Sequence, residues 1–175
     1  ACDTGKYQEQ NTVDSVSCKF CAAGKKFNTK ALACIECGSG KYQEENALAS
    51  AVCKDCDAGQ YAPAKETKCT SCEAGRFQEL NPSIEYKCKF CAAGTKFVNK
   101  TSACDNCISG KYQEQDDVAS AACKQCAAGT QWASESTACP VCDTGKYQEQ
   151  NTADSVICKF CVAGKKFNTK ALACI

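Results

Sequence analysis

Large apolar side chains are scattered along this 175-residue chain and never form a long run. No apolar stretch approaches the ~18 residues that a membrane span requires. The clearest local pattern is Lys-Tyr-Gln-Glu, which occurs four times and alternates polar and aromatic residues as a β-strand does. The pattern predicts short strand pairs separated by loops.

Cysteine is the residue that compensates for this shortage of aliphatic side chains. The chain contains 20 Cys, whereas Leu, Ile, Val and Phe together supply only 24 residues. Compositions of this kind are typical of disulfide scaffolds, which do without one large core. We therefore predict a small disulfide-rich fold, mainly of short β-hairpins and loops.

The cysteines are spaced at intervals of 16, 3, 13 and 3 residues, repeated without exception. They are Cys2, Cys18, Cys21, Cys34, Cys37, Cys53, Cys56, Cys69, Cys72, Cys88, Cys91, Cys104, Cys107, Cys123, Cys126, Cys139, Cys142, Cys158, Cys161 and Cys174. The 35-residue period predicts five tandem repeats stacked into an elongated solenoid or rod. These repeats cover residues 1–35, 36–70, 71–105, 106–140 and 141–175.

A longer period is superimposed on the first. Repeat 5 matches repeat 1 at 31 of 35 positions, and the differences are Ala1/Val141, Val13/Ala153, Ser17/Ile157 and Ala22/Val162. The array therefore has a higher-order unit of four repeats, and we expect the chain to be a window on a longer array.

Glycine and aromatic residues follow the same period. Ten of the eleven Gly lie three residues after the second Cys of a Cys-x-x-Cys pair, counting Cys2 as the second half of a truncated pair, and an aromatic residue follows two or three positions later. The fixed Gly predicts a turn with positive φ or a close backbone approach. We expect the aromatic ring to pack over the sulfur atoms as a miniature core.

The Cys-x-x-Cys spacing by itself is compatible with zinc ribbons as well as with disulfides. An even array with no His and with loops rich in Ser, Thr, Asn and Gln favours disulfides in an oxidising compartment. Metal binding and free redox thiols are the alternatives. Sequence leaves many pairings open, but the simplest scheme joins each second Cys of a pair to the next first Cys. Each loop would then be self-contained, with the two residues inside Cys-x-x-Cys as a hinge.

Charge and motifs argue against several functional classes. The 21 basic and 20 acidic residues give a net charge of +1, so no nucleic-acid partner is indicated. The chain lacks His, a nucleophilic Ser motif and a phosphate-binding Gly loop. We expect that the protein is not an enzyme and requires no cofactor.

A family resemblance rests on the cysteine, glycine and aromatic positions, as in the run from Cys37, Gly40 and Tyr42 to Cys56, Gly59 and Tyr61. This pattern resembles the ephrin-receptor-like cysteine-rich repeat, a relative of EGF-like and tumour-necrosis-receptor-like modules. The resemblance implies an extracellular, loop-rich fold stapled by disulfides. Long arrays of this type are familiar in surface proteins of algae and other protists, including flagellar hairs. The nearly constant period differs from receptor examples, where a binding module usually differs from its neighbours.

Three surface features are candidates for function. Asn99-Lys100-Thr101 is an N-glycosylation acceptor, so we predict a glycan at Asn99. Phe20, Phe90 and Phe160 recur every 70 residues inside Cys-Lys-Phe-Cys and are candidate lateral contacts. Lys6 and Glu9, repeated in later modules, form either a solvated face or a periodic stripe that sets the register of neighbouring subunits.

The sequence as a whole predicts an extracellular or cell-surface structural protein. It would form a disulfide-stapled rod or filament, such as a surface fibre, flagellar hair or wall component. Its expected partners are further copies of itself or other matrix proteins, with glycans but no nucleic acid and no membrane span in residues 1–175. The alternative is the extracellular stalk of a receptor or adhesin that presents a distal binding domain.

Overall fold

The computed structural model describes residues 1–11, 15–85, 87–168 and 173–175. These residues contain no helix and fold into seven two-stranded antiparallel hairpins. The strands are β1 (Lys25–Lys26), β2 (Ile35–Glu36), β3 (Lys41–Tyr42), β4 (Lys54–Asp55), β5 (Gln60–Tyr61), β6 (Thr70–Ser71), β7 (Thr95–Lys96), β8 (Asp105–Asn106), β9 (Lys111–Tyr112), β10 (Lys124–Gln125), β11 (Lys146–Tyr147), β12 (Lys159–Phe160), β13 (Phe167–Asn168) and β14 (Ala173–Cys174). The prediction of a disulfide-stapled array of short hairpins is therefore confirmed.

The chain divides into two compact units. Unit 1 comprises Ala1–Glu73, Phe77–Lys89 and Lys100–Ser102 and contains the hairpins β1-β2, β3-β4 and β5-β6. Unit 2 comprises Ala74–Arg76, Phe90–Asn99 and Ala103–Ile175 and contains the other four hairpins. Within the described part of the chain, no helix is long and apolar enough to cross a bilayer.

Six of the seven hairpins are built from the same two pieces of sequence, and the exception is β13-β14 at the end of the described residues. In these six the first strand follows the fixed Gly turn, and the second strand consists of the two residues inside the next Cys-x-x-Cys. In β3-β4, for example, Lys41 pairs with Asp55 and Tyr42 pairs with Lys54. The predicted hinge is therefore wrong, because the residues inside Cys-x-x-Cys form ladder hydrogen bonds and hold the end of the loop in place.

Disulfides close every loop of the array. The bonds are Cys2–Cys18, Cys21–Cys34, Cys37–Cys53, Cys56–Cys69, Cys72–Cys88, Cys91–Cys104, Cys107–Cys123, Cys126–Cys139, Cys142–Cys158 and Cys161–Cys174. This is the sequential scheme, and all 20 cysteines are paired. Loops of this length each restrict the unfolded chain by about 3 kcal/mol in the chain-entropy model. The disulfides thus supply stability that the small apolar core does not.

The loops interlock, so they are not the self-contained units that we expected. Adjacent loops share backbone hydrogen bonds, as in the 2.7 Å bond from Gly94 N–H to the Gln113 carbonyl. At three of these contacts an Asn or Asp side chain adds a further bond, and the Asp116 carboxylate accepts the Ala93 N–H at 2.8 Å. Equivalent side-chain bonds join Asn46 to Ala23 and Asn151 to Ala128.

The fixed glycines mediate a second contact, between loops two places apart. Gly110 has φ +89°, and a Cβ added to it would lie 2.2 Å from the Ser155 nitrogen. The Ser155 N–H points toward the Gly110 carbonyl at 3.5 Å, and Ser120 and Gly75 are related in the same way at 3.2 Å. Both predicted reasons for the glycine, positive φ and close backbone approach, therefore apply at Gly110.

The glutamine of the recurring Gln-Glu pair is buried in several repeats. Gln78 and Gln113 expose 0% and 2% of their surface. The Gln113 amide nitrogen donates to the carbonyls of Gln115 and Thr95, at 2.7 and 3.4 Å, and its oxygen accepts the Gln115 N–H. Gln78 makes the same set of bonds with Leu80 and Gln60. The side chain thus bridges its own loop to the preceding one.

The aromatic rings pack less deeply than predicted. Phe77 is 8% exposed, whereas Tyr42, Tyr112 and Trp132 are half-buried. The fully buried positions are occupied instead by cysteines, by small residues such as Ala62 and by the glutamines. Repeats that approach this closely leave room for sulfur, methyl and amide groups but little room for complete rings.

The replacement Gly110→Ala tests the contact between loops two places apart. Gly145 has φ +83° but no atom within 4 Å of an added Cβ, so Gly145→Ala incurs only the backbone cost of about 1–2 kcal/mol. Gly110→Ala should lower the free energy of unfolding by more, because the Ser155 backbone must move. Guanidinium unfolding of the oxidised protein, followed by the fluorescence of Trp132, compares the two variants. Equal losses would show that the close approach contributes nothing.

The replacement Gln113→Leu tests the buried amide. It leaves the Thr95 carbonyl and the Gln115 N–H without their partners, which should destabilise the structure by about 1–3 kcal/mol. Hydrogen exchange at the amide of residue 115 should accelerate roughly tenfold or more. Gln115→Leu is the matched control, because its exposed side chain forms none of these bonds. Unchanged exchange in Gln113→Leu would contradict this role.

Candidate functional site

The hairpins of the long loops present two faces to solvent, because side chains alternate along a strand. The first face carries the basic residue at the start of the hairpin and the third residue of the following Cys-x-x-Cys. The second face carries the next aromatic residue, the Lys of Cys-Lys-x-Cys and the Glu of the Gln-Glu pair. Both faces recur in every repeat and are the candidate functional surfaces.

The first face brings the three predicted contact residues next to cations. The Lys6 ammonium lies 5.0 Å from the Phe20 ring centre, and the corresponding distance for Lys146 and Phe160 is 5.3 Å. The Arg76 guanidinium lies 4.2 Å from the Phe90 ring centre. Such cation–π contacts stabilise exposed sites by about 0.5–1 kcal/mol.

Burial of these rings differs among the repeats. Phe20 and Phe90 are half-buried, whereas Phe160 is 69% exposed. In the even repeats the same position holds a polar residue: Asp55 forms an ion pair with Lys41, and Gln125 stands opposite Lys111. The 70-residue alternation in sequence therefore produces an alternation of aromatic and polar cross-strand pairs. Lateral contact through the rings stays a prediction.

The second face carries ion pairs in repeats 2, 3 and 4. Lys54 contacts Glu44 at 2.5 Å, Lys89 contacts Glu79 at 3.5 Å, and Lys124 contacts Glu114 at 3.3 Å. A hydrogen bond to Glu44 and its negative charge raise the pKa of the Lys54 ammonium above its ordinary value. Burial by itself would lower the pKa of the Lys89 ammonium. Hydrogen bonds to Glu85 and Glu79, together with their negative charges, have the larger effect, so the pKa is raised.

Lys6 and Glu9, which were expected to share one face or stripe, lie on different faces of the hairpin. Residues three apart on a strand point to opposite faces, so the Lys and Glu of Lys-Tyr-Gln-Glu are separated by the backbone. Lys6 instead contacts Asp3 at 3.2 Å, and Lys146 contacts Asp143 at 2.7 Å. The hydrogen bond and positive charge of Lys146 lower the pKa of the Asp143 carboxyl.

The predicted glycosylation residue lies on a short loop after β7. Asn99 has an exposed side chain, and Thr101 completes its acceptor motif. Exposure is what enzymatic transfer of a glycan requires, and the glycan itself stays a prediction.

Sequence reasoning missed the glutamine and Asn or Asp positions that hold the loops together. Their signal was present, because Gln8, Gln43, Gln78, Gln113 and Gln148 occupy the same position of all five repeats. Strand alternation did not reveal this role, since an alternating pattern takes no account of a neighbouring loop that covers the position.

The pKa of Asp143 provides a test of the first face. Lys146→Gln should raise this pKa toward the ordinary value of about 4, whereas Lys146→Arg should keep it low. Because the pKa is lowered in the folded protein, the pair contributes stability above pH ~4 and loses it as pH falls through the lowered pKa. Carboxyl-detected NMR titration measures the shift. An unchanged pKa in Lys146→Gln would refute the assigned cause.

Neither a known protein family nor a curated protein matches the sequence. Its classification therefore rests on its own geometry: ten sequential disulfides, loops of constant length and interlocked hairpins. By these features the chain is a cysteine-rich repeat protein built from tandem disulfide-closed modules.

Proposed function

We propose that this protein is an extracellular structural repeat protein that assembles into a filament, such as a surface fibre, flagellar hair or wall component. The observation that most strongly supports this proposal is that neighbouring loops are held together by backbone and side-chain contacts. Long loops are joined to the preceding short loop by glycine and Asn or Asp bonds, as between Gln113 and Gly94, and to the next long loop by contacts such as Gly110 to Ser155. Contacts of this kind restrict bending within each unit. A fibre that carries mechanical load requires such stiffness.

The proposed location follows from sulfur chemistry. Ten intramolecular disulfides fit an extracellular or secreted protein, because the cytosol keeps thiols reduced. The resemblance to ephrin-receptor-like, EGF-like and tumour-necrosis-receptor-like modules points to the same compartment. A glycan at Asn99 would also be consistent with export.

The uniformity of the surface favours a structural role over recognition or catalysis. Repeats 1 and 5 differ at four of 35 positions, and the two faces recur in each repeat. A catalytic or receptor site usually requires one module that differs from its neighbours. We therefore propose a function without enzymatic activity or cofactor, in which copies of the chain are each other's principal partners. Phe20, Phe90 and Phe160 are proposed lateral contacts.

Negative-stain electron microscopy of the oxidised chain tests this function. We expect ordered polymers whose abundance increases with protein concentration, and we expect them to disappear after reduction and alkylation of the disulfides. Isolated particles at every concentration, at low and physiological salt, would overturn the filament proposal. That outcome would favour the stalk of a receptor or adhesin.

A further inference from the structure

The second face differs between the inner repeats and repeats 1 and 5. In repeats 2, 3 and 4 its Lys and Glu form the ion pairs described above. The equivalent residues in repeats 1 and 5 are Glu9 with Lys19 and Glu149 with Lys159, and all four are exposed. Among the described residues, none of these four belongs to an ion pair. These exposed Glu and Lys residues, which have no ion-pair partner among the described residues, occupy equivalent positions 140 residues apart. We call them the open pairs.

A groove accompanies each open pair. In repeat 5 a cavity of about 200 Å³ is lined by Tyr147, Glu149, Ser155, Ile157 and Lys159, among others. In repeat 1 a cavity of about 220 Å³ is lined by the equivalent residues, including Tyr7, Glu9, Ser15 and Lys19. We call these two cavities the open grooves. Equivalent residues of repeats 1 and 5 thus line both cavities.

The aliphatic residues in the walls of the two open grooves stand at different positions. Ile157 is 62% exposed in repeat 5, where repeat 1 has Ser17. Val16 is 45% exposed in repeat 1, whereas its counterpart Val156 is buried in repeat 5. An aliphatic residue flanked by one positive and one negative side chain forms a surface that is complementary to itself.

We propose that the open grooves are docking sites for a second copy of this chain, separate from the lateral contacts proposed for the rings of the first face. Two grooves that face each other across a two-fold axis place the Glu149 of one copy beside the Lys159 of the other, and the reverse. The pairing that repeats 2, 3 and 4 complete within one chain would then be completed between chains. This inference rests on the proposed self-assembly and adds its site, its chemistry and its 140-residue spacing.

Complementary charge reversal tests the proposal. One variant carries Glu9→Lys and Glu149→Lys, and a second carries Lys19→Glu and Lys159→Glu. Each variant alone should associate roughly tenfold more weakly than the original protein, because like charges face each other. An equimolar mixture should recover association, because the lysines of one variant meet the glutamates of the other. Sedimentation velocity at low salt measures all three samples.

Matched controls make the same changes at closed pairs of the second face. Glu44→Lys with Glu114→Lys, and Lys54→Glu with Lys124→Glu, alter the net charge equally but leave the open grooves intact. These variants should associate like the original protein. Near-ultraviolet circular dichroism and the absence of free thiols verify that every variant is folded.

The outcomes separate the docking site from the proposed function. If the original protein assembles and the groove variants assemble equally well, the open grooves are not docking sites. The filament proposal is unaffected by that result. Equal weakening in the controls, or a mixture that does not recover, also overturns the inference. If the original protein fails to assemble, the filament proposal falls first, and the docking site falls with it.

Discussion

Closure of short loops by disulfides is the constraint on which the rest of this structure depends. Every cysteine is bonded to a partner 13 or 16 residues away, and these bonds remove much of the conformational freedom of the unfolded chain. Folding can therefore proceed with two-residue strands and with a core of sulfur, methyl and amide groups. Strands of this length would not be stable in a chain whose ends were free.

Disulfides alone would leave a string of independent loops, and backbone contacts join the loops into an array. Adjacent loops are connected by the glycine, glutamine and Asn or Asp bonds, whereas long loops two places apart meet where a glycine has no Cβ. Gly110 and Ser155 illustrate why the cysteine intervals are constant. An inserted residue would displace the serine from the glycine that it contacts two loops earlier, so one insertion would disturb several loops.

A few positions of each repeat decide which side chains the surface presents. Because a hairpin side chain points to one of two faces, a small number of substitutions changes what each repeat presents to solvent. The first face alternates between Phe90-type rings and Asp55-type polar groups, while the second has closed Lys and Glu pairs in repeats 2, 3 and 4 and open ones in repeats 1 and 5. The repeats thus differ in the pattern of these faces, while the loops beneath them keep the same lengths and disulfides.

The sequence by itself determined the loop length, the repeat boundaries and the short hairpins, because covalent spacing and turn chemistry are local properties. It also indicated that Gly110 needed positive φ or a close neighbour. The tertiary structure alone decided that Gln113 is buried, that the residues inside Cys-x-x-Cys form strands, and that Lys6 contacts Asp3 and not Glu9. Each of these three features depends on which neighbouring loop packs against which face of a hairpin. That arrangement comes from backbone contacts between loops about 20 to 45 residues apart in sequence, as in Gly94 with Gln113 and Gly110 with Ser155, which a pattern of neighbouring residues does not encode.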